Sequence, residues 1–447
     1  MNNIDKKVYI ETYGCQMNVY DSELALSILK DDGFERTENI EEADLILVNT
    51  CSIRDNAEQR IWGRVNKFHA EKKKNKNVLI GILGCMAERL KDKLLAHRDI
   101  NLVLGPDNYR DLPRLLEALE NNNKQMSTEL SKDETYSDIV PVRTDENGVS
   151  AYISIMRGCN NYCTYCVVPY TRGVERSRNP QSIIKEAKDL FNKGYKEVNL
   201  LGQNVNSYMW MDSNNTSNTV DFSQLLEMVA LISPQLRVRF STSHPKDMKN
   251  SVLYTIAMYP NICNHIHLPV QSGSTRILKK MHRIYTREEY LERIYTIKKI
   301  LPTAGITTDI ITGFCSETEE DHKETLSLME EVKYDWSFMF QYSERPGTMA
   351  AERFPDDVSP ETKARRLNEI IELQTKLSME SNKKDIGRKF EVLVEGFSKK
   401  SDKQLFGRTS ENKVCVFPAG NYKPGDYVNV LVESCTSATL LGIPTKE

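Results

Sequence analysis

The run RGCNNYCTYC places Cys159, Cys163 and Cys166 in a CxxxCxxC spacing, directly after the strand-like segment AYISIM. Three thiolates are one short of a closed four-cysteine iron–sulfur cluster, so one iron would stay open to another ligand. An open iron can take the amino and carboxylate groups of S-adenosylmethionine (SAM). An electron passed into that sulfonium cleaves a carbon–sulfur bond and releases a 5′-deoxyadenosyl radical. A structural zinc site would need a fourth Cys or His close by, and none follows.

The motif heads a repetitive stretch. From 151 to about 380, six strand-like runs alternate with helical segments: AYISIMRG, EVNLLGQ, RVRFSTS, NHIHLPVQ, GITTDIITGF and WSFMFQYSE. Six β/α units predict a partial barrel rather than a closed eight-unit one. The polar excursion MWMDSNNTSNT (209–219) interrupts the rhythm and is expected to be a surface loop. Upstream, KVYIETYG, ADLILVNT, NVLIGILG and NLVLGP are each followed by a polar or helical segment, which predicts a parallel α/β domain. Beyond Gly387 the runs FEVLVEGF, VCVFP, YVNVLVES and TLLGIP, cut by Gly, Pro and Asn turns, predict a small antiparallel β-barrel. The expected fold class is therefore α/β, with an N-terminal parallel domain at 1–120, a linker at 121–148, the barrel-like core at 149–382 and the β-barrel at 383–447.

Ten cysteines in a chain without a signal-peptide pattern argue against a disulfide framework. Besides the triplet, Cys15, Cys51 and Cys85 each stand directly after an apolar strand run, in YGCQ, NTCS and LGCM. Carboxyl ends of parallel strands lie along one edge, where open α/β sheets place their ligands. One such cysteine alone would read as core. Three at equivalent positions of three units read as a converging set. Cys263, Cys315, Cys415 and Cys435 lack ligand spacing and are assigned to packing.

These segments together resemble the methylthiotransferase family of radical SAM enzymes over essentially the whole length. The resemblance is carried by ETYGCQMNVYDSE, NTCSIRDNAEQR, GCMAER, RGCNNYCTYCVVPYTRG, LLGQNVNSY and HLPVQSGSTRILKKMHRIYT, in family order. It implies two [4Fe–4S] clusters, with Cys15, Cys51 and Cys85 holding an auxiliary one and Cys159, Cys163 and Cys166 the radical-generating one. It also implies that the C-terminal barrel is a TRAM module, which binds RNA. YGCQMNVYDSE is similar to the branch that adds a methylthio group to N6-isopentenyladenosine at position 37 of tRNA. Relatives acting on N6-threonylcarbamoyladenosine, or on an aspartate of a ribosomal protein, carry other residues after the first cysteine. Where the family reads GFPGETEED, this chain reads GFCSETEED, with Cys315 and Ser316 in place of Pro and Gly.

In that reading one SAM donates a methyl group to a cluster-borne sulfur and a second is cleaved to the radical, with both clusters facing a shared cavity. Polar residues at barrel strand ends are SAM-binding candidates: Gln203, Ser241, Ser243, Gln271 and Asp309, with Tyr165 inside the cysteine loop. Ordinary strand-end hydrogen bonding is the alternative for each. Lys399, Lys400, Lys403, Arg408 and Lys413, interleaved with Phe397 and Phe406, are candidates for RNA phosphate contacts, against a merely solvated charged face. Lys72, Lys73, Lys74 and Lys76 read as a solvated helix end. A formal charge of −3 excludes a strongly basic nucleic-acid binder, so any basic surface must be local. The expected partners are the tRNA anticodon stem-loop carrying the isopentenyl base, an electron donor and a sulfur donor. A cytoplasmic monomer without a membrane segment is expected.

Overall fold

The run LILVNT is buried at every position, as a parallel strand covered on both faces should be. The structure, a computed structural model, describes residues 6–51, 55–119, 124–144, 148–212 and 214–445. The first elements are β1 (Lys6–Thr12), α1 (Gln16–Asp31), β2 (Phe34–Arg36), β3 (Leu45–Thr50), α2 (Asp55–Lys74), β4 (Leu79–Gly84), α3 (Cys85–Leu95), β5 (Leu102–Leu104), α4 (Leu112–Leu119) and β6 (Gln125–Ser127). They form one parallel sheet of order β2-β1-β3-β4-β5-β6. β1, β3, β4 and β5 are the four expected strands.

β2 and β6 were not expected, and β6 corrects the reading of 121–148 as a linker. Residues 121–123 and 145–147 lie outside the described residues. The rest of the stretch is packed. β6 pairs with β5, and Tyr136 is fully buried, donating to the Pro106 carbonyl at 3.0 Å and accepting from the Tyr109 amide at 3.1 Å. Arg143 pairs with Glu23 at 2.9 Å.

The chain continues through β7 (Ser150–Ser154), β8 (Met156–Arg157), α5 (Val168–Arg172), β9 (Arg176–Ser177), α6 (Pro180–Asn192), β10 (Glu197–Leu201), β11 (Met209–Met211), β12 (Thr219–Asp221), α7 (Phe222–Ala230), β13 (Arg237–Ser241), α8 (Asn250–Met258), β14 (His265–His267), α9 (Thr275–Lys280), α10 (Arg287–Ile300), β15 (Gly305–Thr312), α11 (Glu319–Val332), β16 (Trp336–Gln341), α12 (Met349–Arg353) and α13 (Pro360–Lys383). Two compact units result. One comprises residues 1–144, 156–162 and 166–182; the other comprises 145–155, 163–165 and 183–447. The first therefore holds β8, α5 and β9 along with the six-stranded sheet.

In the second unit, the six expected barrel strands form two parallel triplets, β13-β10-β7 and β14-β15-β16. The bridge between Val238 and Ile262, with the Cys263 amide donating to the Val238 carbonyl at 2.8 Å, joins them into one arc. No ladder joins β7 to β16 among the described residues, so the barrel is partial. The expected loop at 209–219 contains a short antiparallel hairpin, β11 with β12; residue 213 lies outside the described residues.

The last 60 residues carry β17 (Lys389–Ser398), β18 (Ser401–Arg408), β19 (Val414–Pro418), β20 (Tyr427–Cys435) and β21 (Leu440–Pro444), closed as β17-β18-β19-β21-β20. Its core is Phe390, Val392, Val394, Leu405, Cys415 and Phe417 with the inward residues of β20. This barrel is tied to the arc by Arg237 donating to the Arg408 carbonyl at 2.9 Å and Arg239 to the Thr409 carbonyl at 3.1 Å. No described helix is long and apolar enough to cross a membrane.

Candidate metal centres

β1, β3 and β4 are neighbours in the sheet, so the residues that follow them meet at one edge. Cys15 is the N-cap of α1, Cys85 opens α3, and Cys51 follows β3. The positive end of a helix favours a thiolate over a thiol. Cys15 is exposed, while Cys51 and Cys85 are buried. The two glycines beside them permit the approach. Gly14, at φ +129°, would drive a Cβ into the Cys51 Cβ, and Gly84, at φ +89°, into the Asn49 side chain. The Cys15 thiol is held well below its usual range, chiefly by its hydrogen bond with Cys51 and secondarily by the Arg172 charge. Burial pushes the Cys85 thiol up, with Arg172 opposing.

Polar side chains fix this edge. The Cys15 Sγ lies 3.2 Å from Asn18 Oδ1, and Asn18 Nδ2 donates to Asn49 Oδ1 at 3.0 Å. Asn49 Nδ2 returns to the Asn18 carbonyl at 2.9 Å and to Ser22 Oγ at 3.0 Å. Beneath lies a buried ion network. Asp21 receives Arg157 at 2.9 Å and Arg172 at 2.8 Å, and Asp107 receives Arg176 at 2.8 Å and Arg157 at 3.5 Å. Sequence reading missed Asn18, Asn49, Asp21 and Arg172. The signal was available, since all four lie within the quoted motifs, but nothing in their spacing separates a site residue from a capping or packing one.

Among the described residues, no three Cys, His, Asp or Glu side chains close on one point as ligands of a single ion would. A cubane cluster makes no such demand, because each thiolate binds a different iron. The donor set fits a cluster on a second ground. Arg172 Nη1 is buried and has no hydrogen-bond partner, on a guanidinium whose charge acts on the Cys15 and Cys85 thiols.

Of the second cysteine set, Cys159 and Cys166 belong to the first compact unit and Cys163 to the second. The Cys159 amide donates to the Gly173 carbonyl at 3.2 Å. Cys163 is buried, with Arg283 Nη1 3.4 Å from its Sγ. Arg283 is itself fixed by Nη2 donating to the Pro269 carbonyl at 2.7 Å and Nε to Tyr285 Oη at 2.8 Å. Thr164 is pinned from three sides: its amide donates to the Met281 carbonyl at 3.0 Å, its hydroxyl to the Lys280 carbonyl at 3.0 Å, and its carbonyl accepts from Ala350 at 2.8 Å. The Tyr165 ring meets Phe314 edge-on at 6.4 Å.

The SAM candidates divide into two groups. Gln203 Oε1 and Ser243 Oγ are buried polar atoms with no partner in the protein, as groups awaiting a ligand would be. Ser241 donates weakly to Asn199 at 3.4 Å, and Asp309 lies 3.3 Å from His267 Nε2. Gln271 adopts a left-handed backbone at φ +73°, its amide donating to the Asp309 carbonyl at 2.9 Å.

The RNA candidates also divide. Lys399, Lys400 and Lys403 are exposed at and after the β17–β18 turn, beside exposed Phe397. Arg408 lies 3.6 Å from Glu395. Lys413 is bound internally to Asp385 at 2.6 Å, Ser381 at 2.8 Å and Asp335 at 3.2 Å. Of the Lys72–Lys76 run, Lys72 is likewise internal, donating to the Asp99 carbonyl and Asn101 at 2.9 and 2.6 Å. Cys263, Cys315 and Cys415 are buried, as expected of packing residues. Ser316 takes φ +64°, a conformation that favours glycine. Its hydroxyl receives Lys280 at 2.6 Å.

Residues 7–105 match the uncharacterized protein family UPF0004, residues 153–329 the Radical SAM superfamily and residues 383–445 the TRAM domain. Among solved structures, the radical SAM methyltransferase TsrM from Kitasatospora setae, with cobalamin and a [4Fe-4S] cluster bound, superposes with a TM-score of 0.59 at 13% identity, over 78% of this chain and 77% of that one. That likeness concerns the fold alone. Curated relatives are far closer in sequence. The tRNA-2-methylthio-N(6)-dimethylallyladenosine synthase of Bacteroides fragilis is 57% identical over 438 residues, covering 98% of this chain and 95% of the relative. Those of Bacteroides thetaiotaomicron and Parabacteroides distasonis are 57% and 56% identical, covering 98% and 99% of this chain and 96% of each relative. With a full-length match at that identity and both its radical SAM and TRAM segments in place, the chain belongs to the family of these synthases, within the radical SAM superfamily.

Proposed function

We propose that the chain converts N6-isopentenyladenosine at position 37 of tRNA to its 2-methylthio derivative in two SAM-dependent steps. The observation that carries the reading is the full-length match to relatives of that name, in a chain whose Cys15, Cys51 and Cys85 follow neighbouring strands at one sheet edge. As a radical SAM protein the chain uses SAM and a [4Fe–4S] cluster. Cys159, Cys163 and Cys166 are its ligands in this reading, and Cys15, Cys51 and Cys85 hold a second cluster. Carbon 2 of adenine is unactivated, and when bound these groups supply what no side chain can: a 5′-deoxyadenosyl radical and a sulfur able to accept a methyl group.

The chain's own residues bind and orient. Arg283 holds the Cys163 thiolate by a charge-assisted hydrogen bond, and the three anchors on Thr164 keep the cysteine loop from relaxing. Gln203, Ser243, Ser241, Gln271, Asp309 and Tyr165 contact SAM, with the unpartnered Gln203 and Ser243 atoms the strongest candidates. Lys399, Lys400, Lys403 and Arg408 position the tRNA through phosphates. An electron donor and a sulfur donor complete the cycle, and the enzyme works as a cytoplasmic monomer.

The test is mass analysis of tRNA nucleosides from a deletion strain. The 2-methylthio-N6-isopentenyl nucleoside should vanish, return with the native gene, and stay absent with Cys163→Ala. An unchanged level of that nucleoside, with loss of the threonylcarbamoyl counterpart instead, would assign the chain another substrate.

A further inference from the structure

The buried charge beneath the N-terminal thiols exceeds what the fold needs. Three guanidinium groups, Arg157, Arg172 and Arg176, meet two carboxylates, Asp21 and Asp107, leaving one positive charge uncompensated within the network. All five side chains are almost wholly buried, where a surplus charge is expensive unless an anion completes it. An oxidised four-iron core held by three thiolates carries one net negative charge.

The three arginines differ in how their forks are used. Arg157 places Nη1 on Asp21 and Nη2 on the Pro106 carbonyl at 2.9 Å. Arg176 places both Nη atoms on Asp107, at 2.8 and 3.0 Å, and Nη2 also on the Arg172 carbonyl. Their nitrogens without a hydrogen bond are the internal Nε atoms, that of Arg157 lying 3.5 Å from Asp107. Arg172 alone among them has an empty terminal nitrogen: Nη2 donates to Asp21 at 2.8 Å, and Nη1 has nothing. The charged and ionisable groups that bear most on it are Asp21, Cys85, Cys15 and Tyr109. It closes α5, six residues after the second cysteine motif ends.

We infer that Arg172 tunes and positions the auxiliary cluster: its free Nη1 donates an N–H···S hydrogen bond to a cluster sulfide or ligating thiolate beside Cys15 and Cys85, and its charge raises the cluster's reduction potential. The inference rests on the ligand reading proposed above for Cys15, Cys51 and Cys85. Hydrogen bonds to the sulfurs and nearby charge are the protein's means of setting such potentials. Asp21 then acts as a counterweight that limits the effect.

The experiment uses the full chain carrying Cys159→Ala, Cys163→Ala and Cys166→Ala, so that only the auxiliary cluster forms on anaerobic reconstitution. Iron and sulfide are assayed, and the midpoint is read by a redox titration monitored by electron paramagnetic resonance. This background should hold one cluster; if it holds none, the ligand reading fails and takes the inference with it. Arg172→Gln should retain its iron and lower the midpoint at least tenfold in the one-electron equilibrium, about 59 mV. Arg172→Lys, which keeps charge but not the fork, should shift it less. Asp21→Asn should move it upward. Opposite signs for the Gln and Asn variants distinguish tuning from loosening, which would move both the same way or neither. A cluster-replete Arg172→Gln protein at the background midpoint overturns the inference. If Arg172→Gln loses its iron, Asp21→Asn decides alone: a rise supports the inference and no rise overturns it.

Discussion

A buried thiol takes its chemistry from its neighbours, and Cys51 and Cys415 mark the contrast. Cys415 sits in the apolar core of the β-barrel, where burial pushes its thiol up to about 12 with no polar group opposing. Cys51 is equally hidden, yet it hydrogen-bonds Cys15, at an edge ordered by Asn18 and Asn49. Cys51→Ala should therefore lose methylthio transfer while SAM cleavage persists, since the substitution removes no member of the Cys159, Cys163 and Cys166 set. Cys415→Ala should keep both activities and lose on the order of 1 kcal/mol of stability, typical of deleting a small buried group. Parallel assays of iron, 5′-deoxyadenosine and methylthiolated tRNA after anaerobic reconstitution measure the difference. Full transfer with full iron in Cys51→Ala would return that residue to the core. The Arg283 contact on Cys163 and the unpaired Arg172 nitrogen suggest a shared design, in which each cysteine set is served by a buried guanidinium.

At the level of elements, the legible strands were those whose apolar runs are long enough to declare themselves. β1, β3, β4 and the six strands of the arc are of this kind. β2 and β6 read FER and QMS, with no apolar run to mark them, and β18 reads SDKQLFGR, mostly polar because one face meets solvent. The packing of 124–144 was invisible for a related reason. Its fully buried aromatic residue is Tyr136, stacked on Tyr109 at 5.8 Å with Arg157 4.9 Å above its ring. Tyr136→Ala should cost about 3–5 kcal/mol, the range for removing a buried aromatic side chain. Tyr136→Phe should cost less, about 1–3 kcal/mol, because it leaves the Tyr109 amide without its acceptor. Chemical denaturation of the full chain followed at the first unit's transition checks both; a neutral Tyr136→Ala would restore the linker reading. Of the site, the cysteines were legible because metal ligands impose spacing. Asn18, Asn49, Asp21 and Arg172 were not, because hydrogen-bond partners brought together by a sheet edge follow no spacing in the chain.

For the whole molecule, the difficulty is that an acidic chain, at −3, must hold a polyanion. Charge can be local only if the basic groups are not spent inside the fold, and the structure separates the two cases. Lys413 is bound by Asp385, Ser381 and Asp335, and Lys72 by Asp99 and Asn101. Lys399, Lys400 and Lys403 stand exposed at one turn of the β-barrel. Deleting the barrel would be a poor test of RNA binding. Arg237 and Arg239, both buried, donate to its Arg408 and Thr409 carbonyls, and Tyr427 donates to the Lys196 carbonyl at 3.1 Å, so its loss would expose unpaired charge in the arc. Neutralising the exposed lysines leaves those contacts intact. If they contact tRNA phosphates, Lys399→Ala, Lys400→Ala and Lys403→Ala together should weaken binding and flatten the dependence of log affinity on log salt. Each lost contact should reduce the slope by roughly 0.7–0.9, the range for single- and double-stranded nucleic acid. Lys413→Ala should instead lower thermal stability and leave the slope unchanged. Equilibrium tRNA binding measured across a salt series decides the matter. A triple variant with the native slope would move the phosphate anchor off the barrel turn, and a flattened slope in Lys413→Ala would show that its internal ion pairs yield to RNA.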